Sequence, residues 1–201
     1  MQIVEPSVKI ETPINAGKIM TNLERYGRTA YKSEDKITLG SAEKFIESIM
    51  KRGHESVIEH ESLTVRFICD RGVTHELVRH RLCAFTQEST RYCDYSKRGI
   101  QFVEPCFLKQ GTNNHLLWMT AMQNAERAYS DMIHAGFTPQ EARSVLPNSL
   151  KTEIVVTANL REWRHILKLR TDPAAHPQMQ QVMNILKKKL QDLLPVIFGD
   201  L

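Results

Sequence analysis

The sequence predicts a mixed α+β fold, because two kinds of hydrophobic periodicity occur in one chain. Residues 63–69 alternate apolar and polar side chains, which is the period of a strand with one buried face. Residues 42–50 and 116–133 instead repeat apolar side chains every three or four positions, as amphipathic helices do. With 201 residues, 41% of them hydrophobic, the chain can form a sizeable core, and we expect a single domain over residues 1–201.

The remaining elements follow from the same periodicities, bounded by turn and capping residues. Further strands are expected at residues 2–10, 100–104 and 154–158. Helices are expected at residues 15–26, 41–53, 75–80, 113–135, 138–146, 159–171 and 177–198. Their candidate N-caps are Ser41, Thr74, either Asn113 or Asn114, Thr138 and Asn159. The long apolar helix that Gly136 ends is expected to lie in the core or in an oligomer contact.

Composition and charge limit the classes of protein to which this chain can belong. The apolar runs are short and interrupted by charge, so we expect no membrane span, and the start Met-Gln-Ile-Val-Glu lacks the features of a signal peptide. A cytoplasmic protein is therefore expected. The four cysteines are spaced too irregularly for a zinc knuckle or a redox pair and are expected to be reduced thiols. A net charge of +4 suits either anionic small molecules or nucleic acid.

Residues 79–92 are rich in polar and charged side chains. Their sequence is Arg-His-Arg-Leu-Cys-Ala-Phe-Thr-Gln-Glu-Ser-Thr-Arg-Tyr. Guanidinium, imidazole, hydroxyl, amide and carboxylate groups in one run suit a phosphorylated, hydrogen-bonding ligand such as a nucleotide, whereas a solvated basic loop is the plain alternative. Glu76 and Arg79 are three positions apart and would face one ligand. Arg79 and Arg81 would lie about 200° apart on a continuing helix. Either the helix ends there, or these arginines serve different ligands or subunits.

Two shorter segments also carry candidate ligand groups. Residues 53–60 contain two histidines and two carboxylates, which suggests a metal site. However, His54 and His60 are six positions apart and follow a helix, a spacing unlike that of known metal sites, so no metal is expected. Residues 141–147 place Arg143 in a short helix, where a surface salt bridge is the alternative to a phosphate contact.

The helix that begins after Asn159 carries polar residues on two faces. Arg161 and His165 are four positions apart and share one face. Arg170 is nine positions from Arg161 and lies about 180° round the helix axis. This helix is therefore expected to face two ligands, and an amphipathic helix with a charged face is the alternative.

Together these segments resemble the flavin-dependent thymidylate synthases. The central match is Arg-His-Arg, seven residues, Ser, one residue, then Arg-Tyr, and it is joined by Gly-His-Glu-Ser at 53–56. The family's Ala-Arg-x-x-Leu-Pro element matches residues 142–147, and its Asn-x-Arg run with a later Asn or His and an Arg matches residues 159–170. The commonest family form has Asn-Glu where this chain has Thr-Gln. Either Gln87 or Glu88 therefore takes the role of the family's glutamate.

The resemblance implies a central, mostly antiparallel sheet packed with long helices, of the thymidylate synthase-complementing protein type. It implies methylation of dUMP at C5 to give dTMP, with methylenetetrahydrofolate as carbon donor, FAD as hydride carrier and NADPH as reductant. Arg170 would be the catalytic residue, and His54 would line the active site. The implied dUMP-binding residues are Glu76, Arg79, Gln87, Glu88, Ser89, Thr90, Arg91, Arg143 and Arg170. The implied flavin-binding residues are Ser56, Arg79, His80, Arg81, Gln87, Asn159, Arg161 and His165.

The resemblance further implies a homotetramer with sites shared between subunits, and neither nucleic acid nor a membrane as partner. A basic nucleic-acid-binding module is the alternative, since Arg-His-Arg and Lys187-Lys188-Lys189 are basic. The arginines are not gathered on one helix, however, and no binding motif is present. A hydrolase built on Cys83 or Ser89 is a third possibility, but neither residue has a signature neighbourhood.

Overall fold

The computed structural model describes residues 1–97 and 99–201, and its centre is a four-stranded antiparallel sheet. The strands are β1 (Gln2–Val4), β2 (Ser7–Ile10), β3 (Ser62–Asp70), β4 (Ala84–Gln87), β5 (Gln101–Val103) and β6 (Lys151–Asn159). The sheet has the order β2-β3-β6-β4, whereas β1 and β5 form a separate parallel pair. The helices are α1 (Ala16–Thr29), α2 (Ser41–Lys51), α3 (Arg71–Leu77), α4 (Asn113–His134), α5 (Pro139–Ala142), α6 (Leu160–Arg170), α7 (Pro177–Leu193) and α8 (Pro195–Phe198). Short 3₁₀ segments lie at Glu34–Lys36, Glu55–His60, Tyr95–Lys97 and Arg143–Val145.

Strands β3 and β6 are the two central strands of the sheet. They pair along their whole length, from Ser62 opposite Asn159 to Asp70 opposite Lys151. Both alternate buried and half-buried side chains, because each has one face on the core. The α+β fold class with a mostly antiparallel sheet is confirmed, as is the alternating strand at 63–69.

The main core lies between the four-stranded sheet and the helices α1, α2, α6, α7 and α8. Trp163 of α6 is its largest fully buried side chain. A second, smaller cluster packs under α4, around Phe102 and Tyr129. Leu116 and Leu117, by contrast, are 58% and 70% exposed, so the apolar stripe of α4 only partly joins the core. Among the described residues, no helix is both long and apolar enough to cross a membrane.

Two predicted elements are broken by proline. Residues 2–10 form two strands in different sheets rather than one, since Pro6 has no N–H for a strand ladder. The helix expected at residues 177–198 ends at Leu193 and resumes as a single turn from Pro195. In both cases the chain changes direction where a proline cannot donate the next hydrogen bond.

Two glycines near helix ends, Gly27 and Gly40, have roles that differ from those the sequence suggested. Helix α1 runs past Gly27, which the sequence suggested as its end, because Gly27 packs inside the structure. A Cβ at this position would come 2.7 Å from Phe45 Cε1, so only glycine allows α1 and α2 to approach this closely. Gly40, rather than Ser41, is the N-cap of α2. Its φ of +80° is a left-handed conformation that favours glycine, while the Ser41 hydroxyl donates to the buried Glu24 carboxylate.

Helix α3 begins earlier than the sequence suggested. Asp70, the last residue of β3, is the N-cap, and its carboxylate accepts from the Val73 N–H at 3.0 Å. Thr74, the expected cap, is buried inside the helix. The helix ends at Leu77, so Arg79 lies beyond it and does not share a helical face with Glu76. Of the two options for the arginines, the structure shows that the helix ends before them.

The other caps are mostly where the sequence placed them. Thr138 forms the expected capping box with Glu141, whose carboxylate accepts from the Thr138 N–H at 2.8 Å. Asn159 caps α6. For α4 the cap is Thr112 rather than Asn113 or Asn114, because the threonine hydroxyl accepts from the third N–H of the helix.

Candidate active site

Helix α6 is the platform that positions the polar site. It begins directly after β6, where the Asn159 side-chain oxygen accepts from the Glu162 N–H at 2.8 Å. One turn further on, the indole N–H of Trp163 donates to the Leu63 carbonyl of β3 at 3.0 Å. The helix is thus fixed at its start and along its buried face, which holds the side chains on its other faces in place.

Arg170, the last residue of α6, is held by Glu76 and His80. Its Nη1 donates to the Glu76 carboxylate at 2.8 Å and its Nη2 to the Glu76 backbone carbonyl at 3.2 Å. Its Nε donates to His80 Nε2 at 3.0 Å. A guanidinium has five N–H groups. Two of those on Arg170 are therefore left without an acceptor among the described residues, one on each terminal nitrogen.

His80 is a buried, neutral imidazole. Because Nε2 accepts from Arg170, the proton lies on Nδ1, which faces the Glu162 carboxylate at 3.6 Å. Burial, followed by the charge of Arg170 and the neighbouring His165, lowers the pKa of His80 to about 4. The imidazole therefore serves as a hydrogen-bond acceptor for Arg170 at neutral pH.

This pKa predicts how stability depends on pH. Between pH 6.5 and 4 the unfolded chain takes up a proton at His80 that the folded chain does not, so folding loses about 3 kcal/mol as the pH falls. A His80→Gln variant cannot titrate there and is expected to lose correspondingly less stability over the same range. Urea unfolding of both proteins at pH 7.5, 6 and 5 measures the difference. A constant gap between them at all three values contradicts a neutral His80.

His165 completes a small cluster with His80 and Glu162. The two imidazole rings meet edge to face with centroids 5.9 Å apart, and one ligand atom from each of the three residues lies within 4.8 Å of the others. Two histidines and a carboxylate are a donor set for divalent cations. Here, however, His80 Nε2 is taken by a guanidinium, whose positive charge opposes a cation, so we assign the cluster to orienting Arg170 rather than to metal binding.

A cleft of about 1030 Å³ opens beside this cluster. The structure brings three of the predicted flavin-binding residues, Asn159, Arg161 and His165, together on its wall. Arg161 is half exposed and pairs with Glu59 at 2.5 Å. The Asn159 side-chain oxygen is used by the helix cap, which leaves the amide N–H groups as the part that can meet a ligand.

The side chains of Gln87 and Glu88 lie in different environments. The Gln87 amide donates to the hydroxyls of Thr74 at 2.9 Å and Thr152 at 3.2 Å, both of which are fully buried. The Glu88 carboxylate pairs with Lys151 at 3.0 Å and lines a second pocket, of about 570 Å³, with Tyr95. Within one chain, Glu88 therefore faces a space for a ligand, whereas Gln87 joins α3 to the sheet.

The remaining predicted ligand residues line neither of these two spaces. Ser56, Arg79, Arg81, Arg91 and Arg143 are exposed, Ser89 is half-buried and Thr90 is buried. Two local contacts connect some of them, from Arg143 Nη1 to the Thr90 hydroxyl at 3.4 Å and from the Arg91 N–H to the Ser89 hydroxyl at 3.3 Å. Arg170, Glu76 and His80 also line neither space. Arg79 lies close to Arg170, because its backbone N–H donates at 3.2 Å to the Glu76 carbonyl that also accepts from Arg170. His54 lies elsewhere again, with Nδ1 3.2 Å from the Tyr31 hydroxyl.

Polar residues that were not predicted also line the two spaces, and some of them are basic or belong to the His80 cluster. Lys168 and Lys187 line the large cleft with Glu162, and Lys151 lines the smaller pocket. Glu162 could have been found from its position three residues before His165, which places it on the same face of the helix. Lys187 was included in a lysine run that was considered as a nucleic-acid contact, and a run of like charges gives no sign of which lysine faces a cleft.

The structure argues against a hydrolase built on Cys83 and against a nucleic-acid-binding face built on the lysine run. Burial raises the pKa of the Cys83 thiol to about 11, so this residue is not a thiolate nucleophile at neutral pH. The lysine run does not form one basic face either. Lys187 lines the cleft, Lys188 pairs with Asp192, and Lys189 donates to the Val8 carbonyl.

Comparison with known proteins identifies the family. The family described as thymidylate synthase complementing protein matches residues 16–196 of the 201. This chain belongs to that family. A flavin-dependent thymidylate synthase of Pyrococcus furiosus is 33% identical over 86% of this chain and 73% of its own length. One of Corynebacterium glutamicum is 32% identical over 89% of this chain and 78% of its own length.

The fold of the thymidylate synthase complementing family is also found among solved structures. A UMP/dUMP methylase, PolB of Streptomyces cacaoi, solved with 5-Br dUMP, superposes with a TM-score of 0.82. The match covers 99% of this chain and 96% of that one at 24% identity. It confirms the expected fold type, with a central sheet and long helices.

Proposed function

We propose that this chain is a flavin-dependent thymidylate synthase. It would methylate C5 of dUMP to give dTMP, with methylenetetrahydrofolate as carbon donor and NADPH as reductant. The observation that carries the proposal is Arg170, a guanidinium fixed by Glu76 and His80 with two N–H groups left for a ligand. It lies in a chain whose relatives of the same family are named as flavin-dependent thymidylate synthases.

Arg170 would act on the uracil ring. A positive charge at the N3 edge stabilises negative charge that develops on the ring, and C5 becomes a better nucleophile as that charge spreads. Glu76 and His80 hold the guanidinium in place before the substrate arrives, so no side-chain entropy is lost at the moment of reaction. Neutral His80 does this without adding a second positive charge.

The dUMP site would include the residues around this guanidinium and those of the central motif. Arginine suits a phosphate because its planar group donates two parallel hydrogen bonds. Arg143 would bind the nucleotide phosphate, next to Thr90, which it already contacts. The full proposed set is Glu76, Arg79, Gln87, Glu88, Ser89, Thr90, Arg91, Arg143 and Arg170.

The large cleft fits a flavin nucleotide by its size and its donors. Asn159, Arg161 and His165 line this cleft of about 1030 Å³ and carry hydrogen-bond donors, and Lys168 and Lys187 would meet a diphosphate. Five carboxylates line the cleft as well, and three of them, Glu55, Glu59 and Asp200, are paired with Arg161 or Arg164. FAD would supply the hydride transfer, while these side chains bind and orient it. Ser56, Arg79, His80, Arg81 and Gln87 complete the proposed set.

A homotetramer with shared sites would account for the exposed residues. Ser56, Arg79, Arg81 and Arg91 face solvent and line neither space of their own chain. A second subunit placed against this surface would bring its arginines to the pocket of the first. Leu116 and Leu117 on α4 leave an apolar surface that a subunit contact would cover.

The proposed reaction is tested by product formation. Purified protein loaded with FAD is incubated with dUMP, methylenetetrahydrofolate and NADPH, and dTMP is measured by chromatography. Production of dTMP that requires all three small molecules is expected. No dTMP from flavin-loaded protein would refute the proposed reaction.

Asn159 gives a test of the flavin site that separates binding from folding. In Asn159→Asp the carboxylate still caps α6, because aspartate is as good an N-cap as asparagine, but the side chain loses its N–H donors and gains negative charge. We expect FAD affinity to fall by about tenfold or more while the melting temperature changes little. Fluorescence titration with FAD and a thermal melt measure the two effects. An unchanged affinity for FAD would show that the Asn159 amide is not a flavin ligand.

A further inference from the structure

A third concave surface, which we call the α1–α2 pocket, is strongly basic. It has a volume of about 650 Å³, and Arg28, Lys36, Lys44 and Arg52 are among its lining residues. One of its lining residues, Phe45 of α2, packs against Gly27 of α1. It shares no lining residue with the cleft of Asn159, Arg161 and His165 or with the pocket of Glu88.

The positive charges of this pocket are only partly balanced. Arg28 is neutralised by the buried Glu24 at 2.8 Å and lies 4.4 Å from the centre of the Phe45 ring, so it forms a rigid wall. Lys36, Lys44 and Arg52 have no carboxylate oxygen within 4.0 Å in the described part of the chain. Three cations without an ion-pair partner within 4.0 Å among the described residues therefore line one concave surface.

Hydroxyl groups supply further hydrogen-bond donors. Thr38 and Ser48 line the same surface, and the pocket includes Gly40 and Ser41 at the start of α2, where the helix dipole adds positive potential. A solvated basic face on a helix usually spreads its charges over a convex surface and pairs them with neighbouring acids. Cations and donors that line a concavity instead match an anion with several charges.

The pocket is joined to the segment that the proposed function assigns to the active site. The hydroxyl of Tyr31, which lines the pocket, is 3.2 Å from Nδ1 of His54. Ser56, two residues further on, is a proposed flavin ligand. Glu55, the residue after His54, lines the large cleft, so a ligand in that cleft can extend past His54 and Tyr31 into the basic surface.

We propose that the α1–α2 pocket binds the anionic tail of a co-substrate, namely the chain of glutamate carboxylates on the folate. This rests on the proposed function, which supplies the folate. The chemistry that the pocket recognises, several carboxylate or phosphate charges in a row, also occurs in the phosphates of NADPH, and the experiment below separates the two sources.

The test compares folate pentaglutamate with folate monoglutamate by calorimetry on the FAD-loaded protein. Wild type is expected to bind the pentaglutamate about tenfold more tightly, because the extra carboxylates reach Lys36 and Lys44. In the Lys36→Gln/Lys44→Gln variant the ratio is expected to fall below about twofold, with monoglutamate affinity unchanged. The control, Lys18→Gln/Lys51→Gln, removes the same charge from exposed positions of α1 and α2 outside the pocket and should keep the wild-type ratio.

Three results would overturn the proposal: no preference for the pentaglutamate in wild type, an undiminished preference in the pocket variant, or an equal loss in the control. NADPH affinity, measured in the same proteins, should not depend on the pocket lysines. A loss of NADPH affinity with an unchanged folate ratio would assign the pocket to the nicotinamide nucleotide and refute the folate tail.

The binding data do not depend on turnover. Protein that makes dTMP without a pocket effect refutes the pocket alone, whereas pocket-dependent binding without dTMP refutes the proposed reaction alone.

Discussion

Replacing Arg170 with alanine is expected to abolish dTMP formation while FAD stays bound. The change removes the positive charge proposed for the uracil ring, and a single preorganised donor of this kind contributes about 100- to 1,000-fold to a rate. Of the proposed flavin ligands, His80 loses its hydrogen bond from Arg170, whereas Asn159, Arg161 and His165 lie on a cleft wall that does not include Arg170 and are unchanged. The measurements are dTMP produced per minute and the flavin absorbance of the purified variant.

Two further variants separate charge from geometry at this position. Arg170→Lys keeps the charge but has three N–H donors instead of five. The bonds to His80 and to the carboxylate and carbonyl of Glu76 would use all three and leave none for a ligand, so we expect most of the activity to be lost. Arg127→Ala removes an exposed arginine from α4 and serves as the charge-matched control. Turnover of Arg170→Ala at the wild-type rate would show that Arg170 does not act on the substrate.

Replacing Trp163 with alanine is expected to reduce the free energy of unfolding by about 3–5 kcal/mol. Trp163 is fully buried between α6 and β3, and its indole N–H donates to the Leu63 carbonyl at 3.0 Å. Alanine leaves a cavity and an unpaired carbonyl in the main core. Urea unfolding followed by circular dichroism measures the loss.

Trp163→Phe is the matched comparison, because it keeps an aromatic ring but cannot donate to Leu63. We expect it to cost about 1–3 kcal/mol, mainly for the buried carbonyl that loses its partner. Since α6 also carries Asn159 and Arg170, flavin binding should weaken more in the alanine variant than in the phenylalanine variant. A cost below about 1 kcal/mol for alanine would show that this contact does not fix the helix.

Local signals predicted much of the fold and the composition of the site. Alternation in residues 63–69 located β3, the capping box at Thr138 located α5, and Asn159 marked the start of α6. Each of these depends on residues that are neighbours in the sequence. The motif at 79–92 identified Arg79, His80 and Arg81 as chemically unusual in the same way.

Contacts between distant residues could not be predicted. Arg170 and Glu76 are separated by 94 positions, and nothing in the sequence shows that the helix end at 170 meets the helix end at 76. The sequence suggested Thr74 as the cap of α3, whereas the structure has Asp70 in this role, because β3 ends directly at the helix start. Burial of His80, which sets its pKa, follows from this packing rather than from its neighbours.

The visible absorption spectrum of the purified protein, before and after addition of dUMP, tests the central proposal most directly. We expect a yellow protein with flavin absorption bands that shift when dUMP binds, because the proposed nucleotide and flavin sites meet around His80 and Arg170. A colourless protein that takes up no added FAD, and that is retained on DNA in a salt-dependent way, would contradict the account.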